Sequence, residues 1–352
     1  MGPRNNIVDA LREKLARAVQ RGERGLILLA GALGDSILTL PLAEYMKESA
    51  GLGGVDMVGH TEYIGIFPGR TCVDGVASID SMGLAKLFAD KDSFDLPDGA
   101  PLISSFVNYA WIVTFLGEPG GNFEQNLIFT VNCCRSAEVM TLSMKPPADY
   151  RGHLTWYYAE QFVGQSGQNS LSQVRRSDLR GRLIRPTRAD VQTGRKFLAE
   201  LGLERARAVV VIHPGSGGAA KCWHIDNFLW LADVLRSQGI EAVFLTGPAE
   251  QERFGGKLLR QISDAGQCLT NLSLAEVVGL LSAADGYVGN DSGISHLAGA
   301  LGLNTVVVFG PTEPAVYGPV GPFVETVRCE DAGFSKAPSE GVQKQVLEAL
   351  LK

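Results

Sequence analysis

Three turns in this sequence of 352 residues combine glycines with side chains able to do chemistry, and each follows an apolar run. In Gly31-Ala-Leu-Gly34-Asp35 the glycines permit a tight turn and close backbone approach. Asp35 then falls at a helix N-terminus, the N-cap position that an ionised Asp favours. From this turn alone, helix capping is the simpler account. The second turn is His213-Pro-Gly-Ser216-Gly217-Gly-Ala-Ala-Lys221. Its small residues let backbone N–H groups face an anion, and Lys221 brings a compact positive charge suited to phosphate. The third, Asn290-Asp291-Ser292-Gly293-Ile-Ser-His296, sets Ser292 and His296 four apart on one helix face beside the positive end of the helix dipole. Two such turns in one half of the chain favour a diphosphate ligand. Gly310-Pro-Thr312-Glu-Pro314 adds a fourth loop after a strand.

Several other chemistries fit poorly. The second turn is not a nucleoside-triphosphatase loop, because Lys221 is followed by Cys222 rather than Ser or Thr and the glycine spacing differs. Gly31 and Gly34 make only half of a dinucleotide fingerprint. Asp90-Lys-Asp92 spells a metal-binding D-x-D, but it sits in a charged segment with Asp95 and reads as a solvated acidic loop. None of the six cysteines shows zinc-site spacing, so they read as free thiols in a reducing compartment. A net charge of -6 argues against a general nucleic-acid binder. No uninterrupted apolar stretch is long enough to span a bilayer, and residues 7–19 read as an amphipathic helix rather than a signal peptide. The expected location is cytoplasmic. That helix could also lie on a lipid surface.

The turns must be carried by strands feeding helices. Apolar runs at Ala208–His213, Ala242–Thr246, Gly286–Gly289 and Thr305–Phe309 alternate with helical patterns near Asn227–Ser237, Gln251–Ile262, Leu274–Ser282 and Ile294–Leu301. This alternation indicates a parallel sheet covered on both faces. The N-terminal half opens similarly, with a strand at Leu26–Ala30, a helix interrupted at Pro41, and further strands at Gly54–Gly59, Val76–Ile79 and Leu102–Phe106. A helix is expected at Leu154–Val163. The arginines at 175, 176, 180, 182, 185 and 188 mark a basic interdomain linker. The expected domains are 1–185 and 186–352. In open α/β sheets ligands bind beyond the carboxyl ends of the strands, which is where all four loops fall.

The sequence resembles the heptosyltransferases of glycosyltransferase family 9, which build the inner core of bacterial lipopolysaccharide. The resemblance rests on Gly34-Asp35 with Leu40-Pro41, His213-Pro-Gly-Ser216 with Lys221 and Trp223, Asn271-Leu-Ser-Leu274, Asp291-Ser-Gly-Ile-Ser-His296 and Gly310-Pro-Thr-Glu-Pro314. It implies a GT-B fold: two Rossmann-like domains whose parallel sheets face a central cleft, acceptor side first and donor side second. It also implies an ADP-sugar donor, with heptose as the transferred sugar, and inversion at the anomeric carbon without a metal or other cofactor. The implied acceptor is a lipopolysaccharide core or related glycan, with peripheral contact at the inner membrane. By motif position Asp35 would be the general base. Ser216, Gly217 and Lys221 would bind the donor phosphates, with Ser292, Gly293 and His296 also at the diphosphate. Asp291 would hold sugar hydroxyls, Glu250 the ribose and Leu272 the adenine, with Thr312 nearby on the donor side. Two alternatives are another GT-B enzyme using a UDP-sugar and a sugar-nucleotide-binding protein without turnover.

Overall fold

The computed structural model describes residues 22–97, 99–167, 181–330 and 333–352. The expected helix at 7–19 and the arginines at 175, 176 and 180 lie outside the described residues. Contacts divide the rest into two compact units. The first holds residues 22–32, Thr39–Tyr150 and 154–167. The second holds Leu33–Leu38, Arg151–His153 and the described residues from 181 onward.

The first unit is built on a five-stranded, all-parallel sheet of β1 (Arg24–Leu28), β2 (Gly54–Gly59), β3 (Gly75–Ser78), β4 (Tyr109–Thr114) and β5 (Glu138–Thr141), in the order β3-β2-β1-β4-β5. Between β1 and β2 runs α1 (Leu33–Leu38), then α2 (Leu40–Ser49), which starts afresh because Pro41 suits the first turn of a helix and no later position. On one face Leu26, Leu28 and Ile112 pack with Phe123, Leu127 and Val131 of α3 (Asn122–Asn132), whose four-residue spacing makes one helical stripe. Helix α4 (Leu154–Ser166) closes the unit.

One expected strand is a helical turn. Leu102–Phe106 begins on Pro101, which starts the short helix Pro101–Ser104. Leu102 and Phe106, four apart, are both buried, so they share a helix face rather than a strand face. The strand itself follows at Tyr109–Thr114.

The second unit carries a six-stranded parallel sheet: β6 (Val209–His213), β7 (Glu241–Thr246), β8 (Gln267–Thr270), β9 (Gly286–Asn290), β10 (Asn304–Phe309) and β11 (Val324–Arg328), in the order β11-β10-β9-β6-β7-β8. The described part of the basic stretch is not a tether. Ile184 is fully buried and its N–H donates to the Ala300 carbonyl at 3.0 Å. From Arg188 the chain is already α5 (Arg188–Glu200), started by a capping box in which Asp190 accepts from the Thr187 N–H at 2.7 Å. Helices α6 (Ile225–Ser237), α7 (Pro248–Ala265, broken at Gly255), α8 (Leu274–Ala283), α9 (Gly293–Ala300) and α10 (Glu340–Leu350) complete the layers. Strands β6 and β9 are buried throughout and β10 from Thr305 on, because helices cover both faces.

Candidate active site

The loops that leave the carboxyl ends of β6, β9 and β10 converge on one residue. Asp291, 7% exposed, accepts at Oδ2 from Lys221 Nζ and from Thr312 Oγ1, each at 2.7 Å. Its backbone carbonyl accepts from Ser216 Oγ at 2.6 Å. The Lys221 side chain keeps a 38% exposed surface while its ammonium holds the carboxylate. Gly217 is exposed, with nothing within 4 Å of where a Cβ would stand.

Asn290 ties the same loops from below. Its Nδ2 donates to the Pro214 carbonyl at 2.8 Å and its Oδ1 accepts from the Trp223 N–H at 2.9 Å. An amide offers a donor and an acceptor on one rigid plane, so one side chain fixes both ends of the 214–222 segment. Arg253, on α7, reaches the Ser216 carbonyl at 3.3 Å and Cys222 Sγ at 3.1 Å, a second staple across Gly217 and Gly218. Neither Asn290 nor Arg253 was assigned a role from sequence. Asn290 could have been found from its place at the strand end before Asp291. Arg253 left no signal, since only tertiary packing brings it to the loop.

The helix α9 that follows has its N-terminus at this node. Ser292 is its N-cap and accepts from the Ser295 N–H at 3.4 Å. Ser295 Oγ donates to the Asn290 carbonyl at 2.5 Å and accepts from the buried Tyr287 hydroxyl at 2.9 Å. Burial pushes the Tyr287 pKa up, so that hydroxyl remains a donor. His296 lies one turn in, 5% exposed. Burial holds its pKa down to about 4, against an opposing pull from Asp291, so the ring is neutral at pH 7. Its Nδ1 has no hydrogen-bond partner among the described residues.

Helix α1 packs directly on α9 within the second unit. A Cβ at Gly34 would stand 3.0 Å from the His296 ring, and one at Gly293 would stand 2.9 Å from Leu33 Cβ. Each glycine therefore leaves room for the other helix. Asp35, next to Gly34, is half-buried and lies in the first turn of α1, not at its N-cap. The helix begins at Leu33, three residues earlier than an N-cap at Asp35 would place it, because Leu33 is already packed into the contact with α9.

The remaining expected residues sit towards β7 and β8. Glu250, 5% exposed, accepts from the Gly247 N–H at 2.8 Å. It fills the space beside Gly215, where any Cβ would overlap its carboxylate. His213, at the end of β6, donates from Nδ1 to the Leu245 carbonyl at 3.0 Å, and burial lowers its pKa. Leu272 is half-buried beyond β8 and next to Asn271, whose φ of 53° is left-handed. The structure thus gathers Ser216, Lys221, Asp291 and Thr312 into one cluster with Ser292, Gly293 and His296 beside it. Glu250 is under the Gly215 turn and Leu272 is at the far strand. Asp90 and Asp92 are exposed in a turn closed by Asp92 N–H to Asp90 Oδ1 at 2.9 Å. Among the described residues no three His, Cys, Asp or Glu side chains are grouped to hold a metal. No described helix is long and apolar enough to cross a membrane.

Residues 181–345, which hold this cluster, match the model of glycosyltransferase family 9 (heptosyltransferase). The match lies within the second unit. Over 143 residues, 39% of its length, the chain is 30% identical to lipooligosaccharide heptosyltransferase 2 of Haemophilus influenzae and spans 41% of that protein's length. The chain therefore spans less than half of the curated relatives it matches. The fold extends further than the sequence match. A family 9 glycosyltransferase from Veillonella parvula superimposes with a TM-score of 0.69 at 17% identity, covering 93% of this chain and 95% of that one. E. coli heptosyltransferase WaaC with ADP superimposes at 0.60 and 20%, covering 92% and 99%. The fold is of the GT-B class, two parallel-sheet α/β units, and the residues matched to family 9 lie in the second.

Proposed function

We propose that this protein is an inverting glycosyltransferase that moves heptose from ADP-heptose to a hydroxyl of a lipopolysaccharide core or related glycan. The observation that carries the reading is the convergence of Ser216, Lys221 and Thr312 on Asp291 at the N-terminus of α9, inside the domain matched to family 9. Support for the donor comes from the relatives, whose names are heptosyltransferases, and from the fold neighbour determined with ADP. Such an acceptor would bring the enzyme to the cytoplasmic face of the inner membrane as a peripheral protein.

In this reading the diphosphate lies across the 214–221 loop and the start of α9. Backbone N–H groups, the helix dipole and Lys221 meet the charge that gathers on it as the anomeric C–O bond breaks. Preorganisation matters more than strength here. Asp291 already holds Lys221, so the ammonium need not reorient during the reaction. Asp35 takes the proton from the acceptor hydroxyl as that oxygen bonds to carbon from the opposite face, which inverts the centre. A carboxylate is a weak base, so proton transfer completes late, when the bonding oxygen has become acidic. Glu250 and Leu272, towards β7 and β8, take the ribose and adenine. Charge stabilisation by Lys221 and α9 leaves no step that requires a metal.

The test is thermal stabilisation by ADP, UDP, GDP, CMP and NAD at equal concentration with EDTA present, since a ligand bound only to the native state raises Tm. We expect a shift with ADP. A shift with UDP alone would change the donor, and silence from all five would overturn the nucleotide-sugar reading.

A further inference from the structure

Lys221 is the one cation set against the diphosphate so far, and Asp291 already neutralises it from 2.7 Å away. Burial keeps the His296 ring neutral at pH 7, and Glu250 adds a further carboxylate under the Gly215 turn. Beyond Lys221, an anion meets backbone N–H groups and the N-terminus of α9, a partial charge of about half a unit. A diphosphate is anionic before the reaction and takes the electron pair of the anomeric C–O bond as it leaves. Full positive charge that no acid balances is what such a leaving group needs.

Arg253 brings that charge to the same loop. Among the described residues it makes no ion pair. Its partners are the Ser216 carbonyl, 3.3 Å from both Nη1 and Nη2, and Cys222 Sγ, 3.1 Å from Nη1. Burial raises the Cys222 pKa, so the thiol is protonated at pH 7 and both acceptors are neutral. The guanidinium therefore keeps its whole charge. Contacts of 3.3 Å are long for N–H···O bonds, and Nε takes part in none of them. Arg253 is exposed, and its fork of N–H donors suits phosphate oxygens.

The local fold sets this position. Gly247 caps α7, and Glu250 fixes the first turn by accepting from the Gly247 N–H at 2.8 Å. Arg253 follows three residues later on the same helix face. The helix then breaks at Gly255, where φ is 65° and ψ 167°, so the turn carrying both residues is set apart from the rest of α7. Glu250 meets the loop at Gly215, and Arg253 meets it at Ser216 and Cys222. Ser216 Oγ donates to the Asp291 carbonyl at 2.6 Å while the Ser216 carbonyl accepts from Arg253. Lys221 thus serves the loop from within and Arg253 serves it from α7.

We propose that Arg253 is a second cation of the donor site, pairing with the diphosphate carried by the 214–222 segment and holding it as the anomeric bond breaks. The proposal rests on the nucleotide-sugar reading above, which wild type tests alone, whereas Arg253 is tested by its variants. Calorimetric titration of the full chain with ADP at low and high salt is the experiment. Arg253→Gln keeps an N–H donor and loses the charge; Arg253→Lys keeps the charge and loses the fork. The side chain is exposed, so both variants should fold. Arg253→Gln should weaken ADP at least about tenfold, the scale of one charge-assisted hydrogen bond. Its affinity should also fall less steeply with salt than that of wild type. Arg253→Lys should recover most of the loss and the wild-type salt dependence. Wild-type affinity in Arg253→Gln overturns the proposal. So does an equal loss in both variants with the wild-type salt dependence, which would make Arg253 a support of the loop and nothing more. Failure of wild type to bind ADP overturns the donor reading, and the role of Arg253 with it.

Discussion

Asp291 is held by two side-chain donors and is one of the least exposed acids in the site, and this decides what its neighbours can do. Its carboxylate needs Lys221 and Thr312 as donors because a buried charge without partners is costly. Lys221→Ala should therefore act twice, removing a phosphate donor and leaving Asp291 with Thr312. We expect weaker ADP binding and lower turnover together. Asp35→Asn should separate them, losing about two to four orders of magnitude in rate with ADP binding intact, the usual scale for a general base. Steady-state rates with ADP-heptose beside ADP titrations check both; turnover retained in Asp35→Asn removes the base from its role. The types and spacing of Ser216, Lys221, Asp291 and Ser292 marked these loops in the sequence, and the structure brings all four to one node. Asn290 and Arg253 were not legible as structural ties, since each acts on residues more than thirty positions away. The Lys221–Asp291 pair, 70 positions apart, was equally invisible as a contact.

Elements fail to be read where two helices need each other. The alternating strands and helices from 208 onward were legible because an all-apolar parallel strand has no other soluble home. Helix α5 was hidden behind the arginines at 182, 185 and 188, whose charge suggested a tether. Its burial is narrow: Asp190, Gly194 and Leu198, one residue per turn. That stripe suffices because α5 lies close on α8, backbone to backbone. A Cβ at Gly194 would overlap the Gly279 carbonyl and stand 2.7 Å from Ala283 Cβ. In an open helix, Gly→Ala stabilises by about 1 kcal/mol. Here a backbone carbonyl must move, and overpacking of about 1–3 kcal/mol should outweigh that gain. Gly194→Ala should thus lower Tm by a few degrees at about 2–4 °C per kcal/mol. Gly256→Ala, with nothing within 4 Å of the new methyl, provides the contrast. An unchanged or higher Tm for Gly194→Ala would show that the two helices can separate without loss. Leu102–Phe106 failed for the opposite reason: five residues with buried ends fit either period, and only Pro101 favoured the helix.

Across the molecule, protonation should limit stability on the acid side, and histidines should set that limit before carboxylates. His153, His213 and His296 all belong to the second unit. Burial is the largest cause of a lowered pKa in each, with His296 brought to about 4. His153 donates from Nε2 to the Gly318 carbonyl at 2.8 Å and His213 donates to Leu245, bonds that a neutral ring already satisfies. An unfolded chain would protonate all three near pH 6.5, whereas the folded unit resists. Between these values the unfolded state binds more protons, so stability rises with pH; it is fully present above about 6.5 and falls as acid is added. For His296 the loss continues down to about pH 4, with a slope of at most about 1.4 kcal/mol per pH unit for one group. Asp74, Glu276 and Glu313 have pKa values lowered by their partners, so what they contribute is lost only below the ordinary carboxylate range. The two effects are therefore separated in pH. Melting at pH 7.5, 6.5 and 5.5 should give a Tm nearly level over the first step and clearly lower over the second. His296→Gln, if folded, should flatten that second step. A Tm that holds or rises from 6.5 to 5.5 would mean that the buried rings accept protons in the folded state. The neutral His296 beside Gly34 would then be the first assignment to abandon.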